Sequence, residues 1–150
     1  MPGVRLSVKA IIIREGRLLV LKCRDESGIW YVLPGGGQVA GETLEAALRR
    51  ECFEELGCKV RMGALRFVRD YIGWHHEFAA YDRNTHQVEL MFDAHLESEP
   101  TFAHEPDSMQ VGFAWLEITR LTGCRLYPRV LEQALSADTD TRVIYLGDVN

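Results

Sequence analysis

The sequence is short of several things, and each shortage narrows what it can do. It has four cysteines, Cys23, Cys52, Cys58 and Cys124, and no Cys-x-x-Cys spacing. That disfavours a zinc site or a thiol redox pair and leaves reduced core thiols as the expectation. No apolar run reaches membrane-spanning length; the longest, Ala10 to Ile13, is strand-sized. There is no excess of basic residues. Lys and Arg total 17 against 22 Asp and Glu, a net charge of -5. General nucleic-acid binding needs a basic face over the phosphates, and membrane-surface attachment needs a basic amphipathic stretch. Neither is present. The first residues lack the charged, apolar and small-residue zones of a secretory signal, so the expected location is cytoplasmic. Internal repeats, low-complexity runs and Pro/Ser-rich linkers are absent too.

What remains is an ordinary globular composition. Hydrophobic residues make up 47% and charged residues 26% of 150 positions, which predicts one domain over 1–150 with no need of disulfide staples. Residues 4–13 and 18–24 read as two strands joined by a turn at Arg14 to Arg17. A short strand over Trp30 to Leu33 ends at Pro34 and the glycines 35–37. Residues 43–56 form the clearest helix, with Thr43 as N-cap, Glu45 in the first turn and Gly57 as the stop. Leu44, Leu48, Cys52 and Leu56 give it a buried stripe. Val60 to Tyr71 and Glu77 to Tyr81 follow, then a turn at Asp82 to Thr85 and an alternating strand over Gln87 to Leu96. Residues 98–109 read as a polar surface loop and Gly112 to Leu116 as a short strand. Pro128 to Leu135 reads as a second helix with Pro128 in its first turn. Thr141 to Leu146 suits a last strand. The expected class is α/β (α+β), a mixed sheet with helices on its faces.

Chemistry concentrates in the first helix. Glu51, Glu54 and Glu55 are spaced three and four apart and share one face, beside the apolar stripe. Like charges at that spacing repel, and divalent cations are the natural compensation, since Mg²⁺ takes carboxylate oxygens and keeps positions for phosphate and water. On charge alone the run reads first as a solvated face paired to Arg49 and Arg50. The glycines before it shift that balance, because backbone without side chains lets a ligand approach closely and frees carbonyls for coordination. No Gly-Lys-Ser/Thr follows them, so the loop is not a P-loop.

Taken together, Gly36, Glu42, Arg50-Glu51, Glu54-Glu55 and Gly57 resemble the Nudix box, G-x5-E-x7-R-E-U-x-E-E-x-G-U, where U is a bulky aliphatic. Every fixed polar and glycine position matches between Gly36 and Cys58. The departures are Cys52 and Cys58 at aliphatic sites, where a small buried hydrophobe still packs. The resemblance implies an α/β/α sandwich with a mixed sheet. It also implies a hydrolase dependent on Mg²⁺ or Mn²⁺ that splits the diphosphate of a nucleoside diphosphate linked to another group. Glu51, Glu54, Glu55 and the carbonyl of Gly35 or Gly36 would hold metal. Glu51 would also orient or deprotonate water, and Arg50 with Glu42 would brace the loop against the helix. The family often adds an acid from a later loop; here the candidates are Glu105 and Asp107, with Glu97 and Glu99 behind them. The substrate implied is a small nucleotide, without membrane or general nucleic-acid partners; a homodimer is left open. The stretches Leu33 to Gln38 and His86 to Glu89 resemble the ADP-ribose pyrophosphatase branch. Alternatives are a silent nucleotide-sensing domain and a nucleoside triphosphate pyrophosphohydrolase.

Other residues have weaker signals. Trp30 and Tyr31 suit base stacking, although one of a strand pair must face the core. Arg24, Arg66 and Arg69 suit a diphosphate. His75-His76 reads as an exposed turn or a ligand loop, and His86, His95 and His104 lack metal-ligand spacing.

Overall fold

The computed structural model describes residues 3–101, 103, 105–106, 108–136 and 143–150. Its strands are β1 (Arg5–Ile11), β2 (Ile13–Arg14), β3 (Arg17–Asp25), β4 (Gly28–Val32), β5 (Gly35–Gly37), β6 (Val60–Ile72), β7 (His86–Leu96), β8 (Gln110–Glu117), β9 (Leu126–Tyr127) and β10 (Tyr145–Asp148). Its α-helices are α1 (Leu44–Leu56), α2 (Ala79–Asp82) and α3 (Leu131–Ser136), and 3₁₀ helices span Gly73–His75 and Ile118–Gly123.

The strands form two sheets. One is mixed and runs β10-β6-β7-β1-β5, with β1 parallel to β7 and antiparallel to β5. The other runs β2-β3-β4-β9, with β8 antiparallel to β3. Two apolar cores result. Val8, Ala10, Leu19 and Leu21 pack with Ala47, Leu48, Cys52 and Leu56 of α1 in one. Ile11, Leu18, Val20 and Met91 pack with Leu131 of α3 in the other. Alternate residues of the same strands therefore face opposite cores, and helices cover both sides. This is the expected α/β/α arrangement.

The first helix follows the sequence closely. Thr43 caps it, its side chain accepting from Ala46 N at 3.1 Å. Gly57 stops it in the left-handed region at φ 59°, where a side chain would be strained. Other boundaries differ. The glycines 35–37 do not simply end a strand; they form β5, the edge of the other sheet, opposite Lys9, Val8 and Ser7. Glu77 to Tyr81 is not extended but leads into the short helix α2. Pro128 lies in a turn before α3, because Leu131 N donates to its carbonyl at 3.1 Å and only then does the helix begin. Of the Thr141 to Leu146 segment, 141 and 142 lie outside the described residues, and β10 starts at Tyr145. Among the described residues no helix is long and apolar enough to cross a membrane.

Candidate active site

The site is built where α1 meets β5. Strand alternation turns Gly36 toward α1, and the Glu51 carboxyl lies flat against it. A Cβ at Gly36 would stand 2.6 Å from the Glu51 carboxyl carbon and Oε1. Only glycine allows that approach. One residue earlier, the Gly35 N–H donates to Glu55 Oε1 at 2.8 Å. Glu55 is 1% exposed, so this backbone amide sits on a buried carboxylate.

Arg50 organises the other acids. Its Nε and Nη2 donate to the two carboxylate oxygens of Glu42 at 2.5 and 3.0 Å, and Nη2 also reaches the Gly37 carbonyl at 3.0 Å. Its Nη1 meets Glu51 Oε1 at 2.8 Å and Glu54 Oε2 at 3.3 Å. Glu42 closes the loop on itself, accepting from Val39 N at 2.9 Å while its carbonyl accepts from Gln38 Nε2 at 2.8 Å. One guanidinium thus ties the glycine strand, the following turn and the acidic face of α1 together. The expected Arg50–Glu42 pair is in direct contact.

The end of α1 is closed by residues far away in sequence. A helix leaves its last four carbonyls without partners of its own. Here Phe53 O accepts from Gly57 N at 2.9 Å, Glu54 O from Glu105 N at 2.9 Å, Glu55 O from Gln110 Nε2 at 2.8 Å and Leu56 O from Thr101 N at 2.6 Å. The polar loop is therefore a cap, and it brings the exposed Glu105 next to Glu54. Gln110, which carries no motif, completes this cap. A cleft of about 380 Å³ opens between the cap and β8, lined by Glu55, Thr101, Pro106, Gln110 and Phe113 among others.

The remaining candidates divide. Asp107 and His104 lie outside the described residues. Glu97 and Glu99 are drawn away from the site by Arg49 at 3.7 Å and Arg14 at 2.6 Å. Arg66 is paired to Asp93 at 3.0 Å and Arg69 to Glu89 at 3.0 Å, while Arg24 is exposed. Trp30 and Tyr31 pack toward opposite cores, so both are partly core residues. His75 and His76 are not a free turn: both hold Asp148, at 2.7 and 2.6 Å. Cys52 and Cys58 are fully buried, and burial pushes the Cys52 thiol well up and the Cys58 thiol to about 11. They are packing residues, not nucleophiles.

The donors Glu51, Glu54, Glu55 and the Gly35 carbonyl are all hard oxygens around one glycine cradle, which suits Mg²⁺ or Mn²⁺ and not a soft metal. Among the described residues no three acids already converge into a cage. The reason is visible: Arg50 holds Glu51 and Glu54, and the Gly35 amide holds Glu55. The acids fit a cation chemically; in this geometry Arg50 and one backbone N–H hold them.

Comparison with known proteins bears on the family and the fold. Residues 3–134 match the NUDIX domain. The chain is 40% identical to nucleoside triphosphatase NudI of Enterobacter sp. (strain 638) over 65 residues, 41% of this chain and 46% of that protein. The chain thus spans just under half the length of the curated relatives it matches first. A MutT NUDIX hydrolase from Burkholderia pseudomallei superposes with a TM-score of 0.67 at 30% identity, over 92% of this chain and 100% of that one. An ADP-ribose pyrophosphatase from Streptococcus suis shares the fold, with a TM-score of 0.64 at 18% identity over 97% of this chain and 100% of the other. With the domain match covering most of its length and the box folded as a glycine cradle against an acidic helix, the chain belongs to the NUDIX family.

Proposed function

We propose that the chain is a divalent-metal-dependent pyrophosphohydrolase that splits a phosphoanhydride of a small nucleotide. The observation that carries the reading is the Glu51–Gly36 contact beside the buried Glu55–Gly35 bond: two carboxylates fixed by backbone that has no side chains to block a ligand. Glu51, Glu54, Glu55 and the Gly35 carbonyl would hold Mg²⁺ or Mn²⁺. Such an ion, when bound, neutralises phosphate charge and lowers the pKa of bound water. The chain's part is placement. Gly36 fixes where the Glu51 carboxylate stands, and Glu51 takes the proton of the attacking water. Arg50 keeps the helix and the glycine strand in register. Glu105, docked by its amide on Glu54, is the candidate for a further acid at the rim.

Two substrate readings follow from different observations. The Leu33 to Gln38 and His86 to Glu89 stretches favour a nucleoside diphosphate linked to another moiety, such as ADP-ribose. The nucleoside triphosphatase NudI relatives favour a nucleoside triphosphate. Both can be offered to the protein with Mg²⁺ and with Mn²⁺, and the products separated by chromatography. A nucleoside monophosphate plus a phosphorylated partner is expected from the first, and a monophosphate plus pyrophosphate from the second. The higher kcat/KM selects the substrate class. Turnover that persists undiminished in EDTA would refute the metal-dependent reading altogether.

A further inference from the structure

Lys9 lies on β1 directly opposite Gly35 of β5. Its ammonium Nζ donates to the Gly35 carbonyl oxygen at 3.2 Å, in a part-buried setting. Gly35 makes the route possible. A Cβ on Gly35 would stand 2.9 Å from Lys9 Cδ, so the lysine chain crosses the edge strand over a residue without a side chain. Gly36 faces the other way, onto Glu51. The acids therefore approach β5 from the α1 side and Lys9 from the opposite side. They meet at one residue, whose N–H is on Glu55 and whose carbonyl is on Lys9.

Lys9 adds its charge to the field at the buried Glu89, but its hydrogen bond goes to Gly35. The nearby Glu89 is already held by both ends of the Arg69 guanidinium, at 3.2 and 3.0 Å. An ammonium in a partly buried place costs solvation, and an aliphatic side chain would fill the same space without that cost. The charge is aimed at the carbonyl that the donor set above assigns to metal. That oxygen cannot serve an ammonium and a divalent cation together, because the two cations repel at contact distance. A lysine on a flexible four-carbon stem can leave a carbonyl oxygen for an anionic one, and a diphosphate is a stronger partner for an ammonium than a neutral carbonyl.

We propose that Lys9 is a phosphate-binding residue of this site: it rests on the Gly35 carbonyl until a divalent cation takes that oxygen, and then turns to the diphosphate of the bound nucleotide. The proposal rests on the metal-dependent reading above. It gives Lys9 two effects of opposite sign, against the metal alone and in favour of the anion.

The test uses the full chain as wild type, Lys9→Met and Lys9→Arg. Mn²⁺ affinity is read from the electron paramagnetic resonance signal of free Mn²⁺, without nucleotide. Anion affinity is read by calorimetry with methylenediphosphonate, an uncleavable diphosphate, at saturating Mn²⁺. Lys9→Met is expected to bind Mn²⁺ more tightly and methylenediphosphonate more weakly, each by about tenfold, the scale of one charged hydrogen bond. Lys9→Arg keeps the anion affinity within about threefold, since the cation is retained. A lysine that merely supports the fold would weaken both ligands or neither. If Lys9→Met binds Mn²⁺ no more tightly than wild type, or binds the diphosphonate equally well, the proposal is overturned while the metal site stands. A wild-type chain that binds no Mn²⁺ overturns the metal-dependent reading itself, and this proposal with it.

Discussion

Arg50 grips Glu42 fork to fork, one guanidinium nitrogen on each carboxylate oxygen, and reaches the Gly37 carbonyl with the same face. The planar guanidinium supplies these directions at once, which an ammonium cannot. Arg50→Lys is expected to destabilise the chain by about 1–3 kcal/mol, the scale of lost hydrogen bonds to charged groups, measured by urea unfolding. Its kcat/KM should fall as well, because the glycine strand loses its Gly37 tie to α1. An unfolding midpoint and activity both equal to wild type would show that the fork is unimportant.

The same contact has a pH signature. The Arg50 bonds, with the Val39 N–H beside them, hold the Glu42 carboxyl at about 2 instead of the ordinary 4.5. The folded chain therefore keeps this carboxylate charged where the unfolded chain has protonated it. The stability it contributes is complete above 4.5 and is lost as pH falls toward 2. Carbon-detected NMR titration of Glu42 should show no midpoint near 4.5 in wild type and should show one in Arg50→Lys.

Gly36 and Glu51 make a paired prediction. Glu51→Gln keeps the size of the side chain and removes its charge, and kcat should drop by about 10²–10⁴ with the fold intact. Gly36→Ala places a methyl group 2.6 Å from the Glu51 carboxyl and displaces it. A loss of similar scale is expected from a residue with no functional group, with far-ultraviolet circular dichroism unchanged. Full activity in Gly36→Ala would mean that the Glu51 position is not critical.

Much of this was legible in the residues. Thr43, the Leu48–Cys52–Leu56 stripe and Gly57 delimit α1 because caps and periodicity are local signals, and the acidic face follows from helix geometry alone. The glycines misled in one respect. Three in a row carry every sign of a chain stop, yet they pair as β5, since sheet pairing depends on β1, which lies far back in the sequence. Gln110 and the docking of the polar loop were illegible for the same reason: the carbonyls they cap belong to a helix some fifty residues earlier. Lys9 carries no motif, and only the register places it opposite Gly35. Asp148, without a motif, acquires a role only when two histidines are folded onto it.

That Asp148 contact predicts how the last strand is held. Its carboxylate accepts from Ile72 N at 3.0 Å and meets His75 Nδ1 and His76 Nε2 at 2.7 and 2.6 Å. Burial pushes the carboxyl upward, but the bonds from His76, His75 and the Ile72 N–H outweigh it and bring it to about 2, against an ordinary 3.8. Asp148→Ala removes all three partners at once. Hydrogen exchange at the Ile72 amide should accelerate by at least about tenfold, the scale of one such bond, while α1 amides stay unchanged. Exchange at Ile72 that matches wild type would show that β10 is held by its backbone pairing alone.

The buried pair Arg69–Glu89 gives the sharpest stability contrast. The side chains are 7% and 4% exposed, and Gln87 Nε2 donates to Glu89 at 2.7 Å. Burial pushes the Glu89 carboxyl up, but Arg69 and then Lys9 outweigh it and hold it below its ordinary range. Arg69 also donates to the Val149 carbonyl at 2.6 Å, so the pair joins the middle of the mixed sheet to the end of the described chain. Glu89→Leu leaves a guanidinium buried without its counter-charge, and a loss of about 3–5 kcal/mol is expected from breaking one side of such a pair. The double variant Arg69→Met with Glu89→Leu removes both charges and replaces them with apolar volume. It should recover most of that loss, because the desolvation cost disappears together with the attraction. Urea unfolding of the two single variants and the double variant measures the coupling directly. A double variant as unstable as the sum of the singles would mean that the two charges act independently, and that the contacts to Val149 and Gln87, not the ion pair, hold this part of the sheet.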